Sequence, residues 1–407
     1  MRRPFPLANI LAAGMILSWA APVGRAADAR AETLPPPPAP VVVKLSAEQI
    51  TAFRNYFEKS RQQAGIPGAA VVIIQPDQTL LLEGFGKKSL NADAAVTPDT
   101  RFALGPATEA VNSLLLARLD AQNLLDLKAP ARRCWDEFKL ADPAATKTLT
   151  LRDLLSMTAG LPQRIDRFLA KPTATPADLF AILAQVYDTA QPGHIFEYSD
   201  TSSAAAGYLA VYALNHHRAP EAGLPAGYAA MAKEQIFDPL GMKRATYDVT
   251  TNSSADDEAA GHMRDDKGVW QPAPTVPQPN GALLPALGLR ASARDVAAWL
   301  QLELSGGVGP DRKQLLSEDA VQERWRPKNT NDTNDFGLGW AVQHYRGIKL
   351  ISRTGEQNQQ TSLVAIVPQY RTAFAVLTNA GGHDSAVFLQ DALLNLADFL
   401  HENASQK

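Results

Sequence analysis

The sequence predicts a mixed α/β (α+β) fold in which helices cover one antiparallel sheet built from both ends of the chain. Three observations indicate it. Strand-like apolar runs occur near both ends of the 407-residue chain, helical patterns broken by proline and glycine fill residues 126–288, and an apolar helix lies close to the carboxyl end. Because strands far apart in sequence must then meet in one sheet, the helical middle is predicted to be an insertion on one side of it.

The first elements follow from residue spacing. Ser46–Ala64 has apolar residues at helical spacing after a serine, which is typical of a capped helix. Gly68–Gln75 and Leu80–Gly86 are short apolar runs divided by a proline-containing turn, so they predict a β-hairpin. Pro106–Gln122 carries a long apolar face and predicts a second helix.

The carboxyl-terminal part repeats this combination. Ser292–Ser305 predicts a helix, and the final apolar segment Ser385–His401 predicts another. Between them lie four strand-like runs, namely Phe336–Tyr345, Lys349–Arg353, Ser362–Val367 and Ala373–Thr378. A crevice between the sheet and the helical insertion is the expected place for a ligand.

The first 43 residues predict export. Arg2 and Arg3 precede the apolar run Leu7–Ala21, and small residues follow at 24–26, so residues 1–26 read as a secretory signal peptide. The run is shorter than the roughly 20 residues that span a bilayer, so we expect no transmembrane anchor after cleavage. Residues 27–43 contain Leu34–Pro40 (LPPPPAP) and are predicted to be an extended linker. We therefore expect a periplasmic or secreted bacterial protein whose folded domain covers residues 44–402.

Bulk composition excludes some partners. The hydrophobic fraction is 45% and the formal net charge is −3, values that suit a globular core and give no reason to expect a nucleic-acid partner. The seven histidines are scattered without ligand spacing, so no metal site is predicted. No glycine-rich loop follows a strand in a way that would hold a phosphate, and we expect no cofactor.

Eight segments in order along the chain carry a family resemblance. They are Arg101–Gly105 (RFALG), Leu151–Pro162, Pro192–Asp200, Ile236–Met242, Gly288–Leu300, Phe336–Trp340 (FGLGW), Arg353–Gly355 (RTG) and Leu377–Asn379. With them the chain resembles the serine β-lactamase superfamily of class C β-lactamases, D-alanyl-D-alanine carboxypeptidases and penicillin-binding proteins. The resemblance implies a β-lactamase/transpeptidase-like fold and an acyl-transfer site.

The residues that would carry this chemistry differ from the family pattern. The resemblance implies a Ser-x-x-Lys motif at the start of the helix after RFALG, where the lysine lies one turn below the serine and helps to take its proton. This sequence has Pro106 at the serine position and Glu109 at the lysine position, and Ser-x-x-Lys occurs nowhere in it. Proline suits the first turn of a helix, and an acid suits its positive end, so a structural role is the simpler interpretation.

Two further motifs are partly retained. The family's Tyr-x-Asn is Tyr198-Ser199-Asp200 here, and its Lys-Thr-Gly strand is Arg353-Thr354-Gly355. Tyr198 could be either a pocket-lining residue or a remnant base. Arg353 could bind a ligand carboxylate, but pairing with Glu109 or Asp200 is the simpler expectation.

These residues lead to one functional hypothesis and two alternatives. Glu109, Tyr198, Asp200 and Arg353-Thr354-Gly355 form the predicted ligand-binding cleft of a secreted pseudoenzyme, with a local charge near −1 that favours a cationic or neutral ligand. One alternative is an active serine hydrolase with a displaced nucleophile, for which Thr108, Ser199 and Ser202 are candidates. The other is a protein that docks to a component of the cell envelope. The partner is thus expected to be a small molecule or an envelope protein.

Overall fold

The computed structural model describes residues 43–247, 257–274, 281–328 and 335–405. Their strands are β1 (Gly68–Gln75), β2 (Gln78–Ser89), β3 (Ala92–Ala95), β4 (Arg101–Ala103), β5 (His262–Arg264), β6 (Trp270–Pro272), β7 (Arg290–Ser292), β8 (Ala341–Tyr345), β9 (Ile348–Gln357), β10 (Gln360–Val367) and β11 (Thr372–Thr378). The predicted signal peptide and all of the predicted linker except Val43 lie outside the described residues.

The α-helices in the same ranges are α1 (Ala47–Gln63), α2 (Thr108–Ala121), α3 (Pro143–Thr148), α4 (Leu151–Leu155), α5 (Asp166–Leu169), α6 (Pro176–Leu183), α7 (Asp200–Leu214), α8 (Leu224–Ala232), α9 (Asp238–Leu240), α10 (Leu284–Leu287), α11 (Ala293–Leu304), α12 (Glu318–Arg324) and α13 (His383–Ser405). Short 3₁₀ turns include Gly105–Ala107, Ala131–Arg133, Gln163–Ile165, Gly281–Leu283 and Pro368–Tyr370, and a π-helical turn covers Lys233–Phe237. None of the described helices is long and apolar enough to cross a membrane.

One seven-stranded antiparallel sheet joins the two ends of the chain. Its order is β3-β2-β1-β11-β10-β9-β8, so that β1 from the amino-terminal part pairs with β11 from the carboxyl-terminal part. In that register Val71 lies opposite Val376. The predicted fold class, with a sheet built from both chain ends and flanked by helices, is confirmed.

Each face of the sheet has its own apolar core. On one face α1 and α13 pack together against the strands, with the rings of Phe57 and Phe388 centred 5.0 Å apart. On the other face the helical region packs through α2, α7 and α11, where Leu115 and Trp299 are fully buried. Alternate residues of the buried strands face the two cores, which explains why β1 and β11 read as continuous apolar runs.

Two details of the predicted architecture are wrong. The strand predicted for Phe336–Tyr345 begins only at Ala341, because Phe336–Trp340 forms a turn in which Gly339 has a positive φ of 73°. A Cβ at Gly339 would lie 2.5 Å from the carbonyl oxygen of Glu109, so the turn packs directly on α2. The insertion is also not wholly helical, since β5 and β6 form a hairpin within it.

The last residue of the predicted linker packs with the folded domain. The side chain of Val43 is fully buried in the core with α1 and α13. Its carbonyl oxygen accepts a hydrogen bond of 2.5 Å from the Gln75 side chain. The helix then begins after Ser46, whose side chain and Gln49 form a capping box.

Candidate active site

The turn that should carry the nucleophile lies against the sheet edge. Gly105–Ala107 forms a 3₁₀ turn that leads into α2, and Pro106 is the second residue of this turn. Gly105 adopts a φ of 54°, and a Cβ there would come within 2.8 Å of the Glu356 backbone. A Cβ at Gly355 would meet the Ala107 nitrogen at the same distance. Both glycines are therefore required for the close approach of this turn to β9.

Pro106 is the partly exposed residue at the serine position that the resemblance implies. Its side chain has no hydroxyl, and its backbone has no N–H. A proline can therefore supply neither a nucleophilic hydroxyl nor the backbone donor that a nucleophile's own residue can contribute to an oxyanion hole. The Pro106 carbonyl oxygen accepts a hydrogen bond of 3.2 Å from Nε of Arg353.

Glu109 lies one helical turn further along α2 and is fully buried. Its Oε2 forms an ion pair with Nη2 of Arg353, which is the pairing expected from the sequence. Burial raises the pKa of Glu109 to about 8, because the attraction of Arg353 offsets only part of the desolvation and the nearby Asp200 carboxylate adds to it.

The hydroxyl of Tyr198 connects the two acids. It lies 2.5 Å from Oδ1 of Asp200, 3.2 Å from Oε1 of Glu109 and 2.7 Å from Nη2 of Arg353. A phenol carries one hydrogen, so it can donate to only one of the two carboxyl groups. The shorter contact identifies Asp200 as the acceptor of the phenol hydrogen, and Oε1 of Glu109 lies at the longer of the two distances.

Burial also determines how the rest of this group titrates. It raises the pKa of Tyr198 well above its ordinary value of 10, so the phenol does not supply a phenolate base near neutral pH. Burial raises the pKa of Asp200 as well, and the hydrogen bond from Tyr198, which acts to lower this pKa, offsets only part of the effect. Asp200 is the partly exposed member of the group, whereas Tyr198 and Arg353 are 7% and 6% exposed.

Arg353 lies on β9 between two aromatic rings. Its Cζ is 4.9 Å from the ring centroid of Tyr198 and 5.4 Å from that of Phe336. These rings pack in a small apolar cluster that also contains Met157. The guanidinium is therefore held by a carboxyl group, a phenol oxygen, a carbonyl oxygen and two ring faces.

The rest of the Arg-Thr-Gly motif divides between the two faces of the sheet. In the register of β9 with β10, Arg353 lies opposite Val364 and Thr354 lies opposite Leu363. Val364 and Leu363 belong to the cores on opposite faces of the sheet. Successive strand residues alternate in this way, so Thr354 is exposed on the face opposite Arg353. Gly355 faces the turn at Pro106. The structure thus brings together every predicted site residue except Thr354.

None of the three displaced-nucleophile candidates has a hydrogen bond to a lysine, arginine or histidine side chain in the described part of the chain. Thr108 is fully buried, and its hydroxyl accepts a hydrogen bond of 3.2 Å from the Leu289 N–H. Ser199 is fully buried and donates to Asp166 at 2.8 Å. Ser202 is 1% exposed and its hydroxyl has no hydrogen-bond partner. Each hydroxyl is buried, so a substrate carbonyl cannot reach it in this conformation.

Sequence reasoning missed two residues of the site. Asp166 accepts hydrogen bonds from the side chains of Ser199 and Thr201 and from the N–H groups of Asp200 and Thr201. It therefore caps α7 and fixes the loop that leads into this helix at the site. Burial raises the pKa of Asp166 to about 7. Phe336 is predicted from the sequence to begin a strand and belongs to one of the eight family segments, but it is not among the predicted site residues. No local pattern marks Asp166, whereas the glycines after Phe336 signal a turn.

The described ranges contain no group of three or more histidine, cysteine, aspartate or glutamate residues placed to hold a metal ion. The two acids beside Arg353 are engaged with the arginine and the phenol instead.

Comparison with known proteins agrees with this architecture. The family model described as Beta-lactamase matches residues 53–398. Protein flp of Staphylococcus aureus strain MW2 is 21% identical over 341 residues, which cover 83% of this chain and 64% of that protein. The unguisins hydrolase ungD' of Aspergillus campestris is 25% identical over 363 residues, covering 84% of this chain and 63% of its own. This chain therefore spans less than two thirds of the length of these relatives.

A solved structure shows the same fold. The octameric penicillin-binding protein homologue from Pyrococcus abyssi superposes with a TM-score of 0.72 at 21% identity, over 86% of this chain and 77% of that one. The resemblance drawn from the eight sequence segments is confirmed.

Proposed function

Since the chain belongs to the beta-lactamase family, we propose that it is a catalytically inactive member, a secreted pseudoenzyme that binds a small molecule or an envelope protein in the bacterial cell envelope. One observation carries the proposal. Pro106 lies where the family resemblance implies the nucleophilic serine, and Arg353 contacts both its carbonyl oxygen and the buried Glu109. The serine-hydrolase fold is thus retained with a different set of contacts at its centre.

The expected loss of activity is large. Removing the nucleophile of a serine hydrolase costs about 10⁶ in turnover, or roughly 8 kcal/mol of barrier. The remaining groups recover little of it, because burial keeps Tyr198 protonated and Glu109 carries the charge opposite to that of a lysine. Hydrolysis of β-lactams or peptides at a useful rate is not expected.

The cellular location rests on the amino-terminal sequence. Residues 1–26 have the basic, apolar and small-residue order of a signal peptide, and a proline-rich segment follows. These features support a periplasmic or secreted site of action, and fractionation of cells expressing the full chain tests it directly. Recovery of the protein in the cytoplasm with residues 1–26 attached would contradict this part.

An activity-probe experiment tests the proposed inactivity. The purified protein is incubated with a fluorophosphonate and, separately, with a penicillin, and its intact mass is measured; a Ser-x-x-Lys hydrolase treated in parallel serves as the positive control. We expect no adduct on this chain. An adduct would instead support an active hydrolase with a displaced nucleophile, in keeping with the hydrolase among its relatives. Ser199→Ala, Ser202→Ala and Thr108→Val would then identify the labelled residue.

A further inference from the structure

We infer that the cleft is a guanidinium-binding site whose ligand is the protein's own side chain: Arg353 occupies in cis a slot formed by Tyr198, Phe336, Glu109 and the Pro106 carbonyl. This inference rests on the proposed function, since a cleft that turned over substrate could not keep its centre filled. It assigns a chemical class of ligand, a planar cation with several N–H donors, to the site.

The polar contacts match the donor geometry of a guanidinium. Nη2 of Arg353 donates to Oε2 of Glu109 and to the Tyr198 hydroxyl, the latter at 2.7 Å, while Nε donates to the Pro106 carbonyl oxygen at 3.2 Å. The acceptors thus lie along two sides of one planar group, an arrangement that a guanidinium satisfies and a point-charge ammonium does not.

The aromatic contacts point to the same ligand class. The rings of Tyr198 and Phe336 lie 4.9 and 5.4 Å from Cζ of Arg353, within the range in which a ring face attracts a cation. An anion in this slot would meet two ring faces and a carboxyl group, all unfavourable to negative charge. A neutral ligand of the same shape would leave Glu109 and Asp200 without a cation.

A second buried arginine in the same protein shows what a purely structural pair looks like. Arg324 is 1% exposed and joins three helices through Glu303, Ser113 and the Ala110 carbonyl oxygen. Those partners lie on α11 and α2 inside the core. Arg353 is 6% exposed, and two residues of its surroundings are partly exposed: Pro106, whose carbonyl oxygen it contacts, and Asp200, which shares the Tyr198 hydroxyl with it.

Chemical rescue of an emptied slot tests the inference. Arg353→Ala is refolded and its melting temperature measured in buffer alone, with about 20 mM guanidinium chloride and with about 20 mM urea, concentrations far below the molar range in which either denatures proteins. Methylguanidine and N-acetyl-arginine amide, at the same concentration, distinguish a free small guanidine from an arginine side chain as the source of the cation. Arg353→Ala/Glu109→Gln is the matched control without the carboxyl partner.

Guanidinium is expected to raise the melting temperature of Arg353→Ala by about 2 °C or more, in a saturable manner. It should have no such effect on the wild type or on the double variant, and urea should have none on any of them. Refolding yield is a second readout, since a variant that folds only when guanidinium is present supports the inference equally. Equal effects of urea and guanidinium, or no folded Arg353→Ala under any of these conditions, would overturn it.

The result is independent of the test of inactivity. Failed rescue together with an unlabelled wild type removes the guanidinium site and leaves the proposed pseudoenzyme intact. A covalent adduct on the wild type removes the proposed pseudoenzyme, and with it the premise of this inference, whatever guanidinium does to the variant.

Discussion

Glutamine at position 109 keeps the shape of the buried glutamate and removes its ability to ionise. In the wild type, folding raises the pKa of Glu109 from 4.5 to about 8, mainly through burial. Between these two pH values the folded protein holds a proton that the unfolded chain has released. The stability that this group contributes is therefore fully present below about pH 4.5 and is lost as the pH rises through about 8.

The magnitude follows from the size of the change. A pKa that moves from 4.5 to about 8 corresponds to about 5 kcal/mol, spread at up to about 1.4 kcal/mol for each pH unit. The Glu109→Gln variant lacks this dependence. We expect it to unfold within about 1 kcal/mol of the wild type at pH 5, where both residues are neutral hydrogen-bonding groups, and to be more stable than the wild type by several kcal/mol at pH 9.

Urea unfolding at a series of pH values, compared between the two proteins, measures this difference. Glu303→Gln is the matched control, because Glu303 is equally buried and accepts two hydrogen bonds from Arg324, at 2.9 and 3.0 Å, and one from Trp299. Removing its charge leaves Arg324 buried without its carboxylate partner, so we expect a loss of about 3–5 kcal/mol at both pH values.

The opposite result would refute this expectation. If Glu109→Gln loses about 3 kcal/mol or more of unfolding free energy at both pH 5 and pH 9, it behaves as we expect Glu303→Gln to behave. Glu109 is then ionised at both pH values, and its ion pair with Arg353 outweighs the cost of burial. The folded protein would then hold no proton on Glu109 between pH 4.5 and about 8.

Three other predictions concern the turn at Pro106, the buried His262 and the cap of α7. Restoring the family motif with Pro106→Ser/Glu109→Lys should give no fluorophosphonate adduct and should lower the free energy of unfolding by about 3–5 kcal/mol, because the new ammonium meets the buried guanidinium of Arg353; an acylated protein in the mass spectrum would contradict this. Burial lowers the pKa of His262, whose Nε2 accepts a backbone hydrogen bond of 3.1 Å. Its contribution to stability is therefore present above about pH 6.5 and declines below that pH. If the melting temperature of His262→Gln falls between pH 7 and pH 5 as much as that of the wild type, this expectation is wrong. Asp166→Ala should cost about 1–2 kcal/mol by uncapping α7, whereas Asp166→Asn should cost less, and equal losses in urea unfolding would show that capping is not its role.

Local sequence determined the elements of this fold and the chemistry missing from it. The apolar runs at both chain ends have the period and length of strands, and Ser46 and Ser292 precede helices whose first turns complete capping boxes. The residue at position 106 is a proline in any conformation, so the lack of a hydroxyl and an N–H there needs no structure. Such features depend on residue type and on neighbours a few positions away.

Tertiary packing determined the contacts of the site residues and the pKa of Glu109. Glu109 and Arg353 are 244 residues apart, and only the meeting of α2 with β9 brings them together as one buried pair. Strand alternation directs Thr354 away from the cleft, and the turn at Phe336 places a ring over the guanidinium. The pKa of Glu109 depends on desolvation and on groups from two distant segments, one with Tyr198 and Asp200 and one with Arg353. A charge responds to everything that surrounds it in space, whereas sequence patterns report only what lies nearby along the chain.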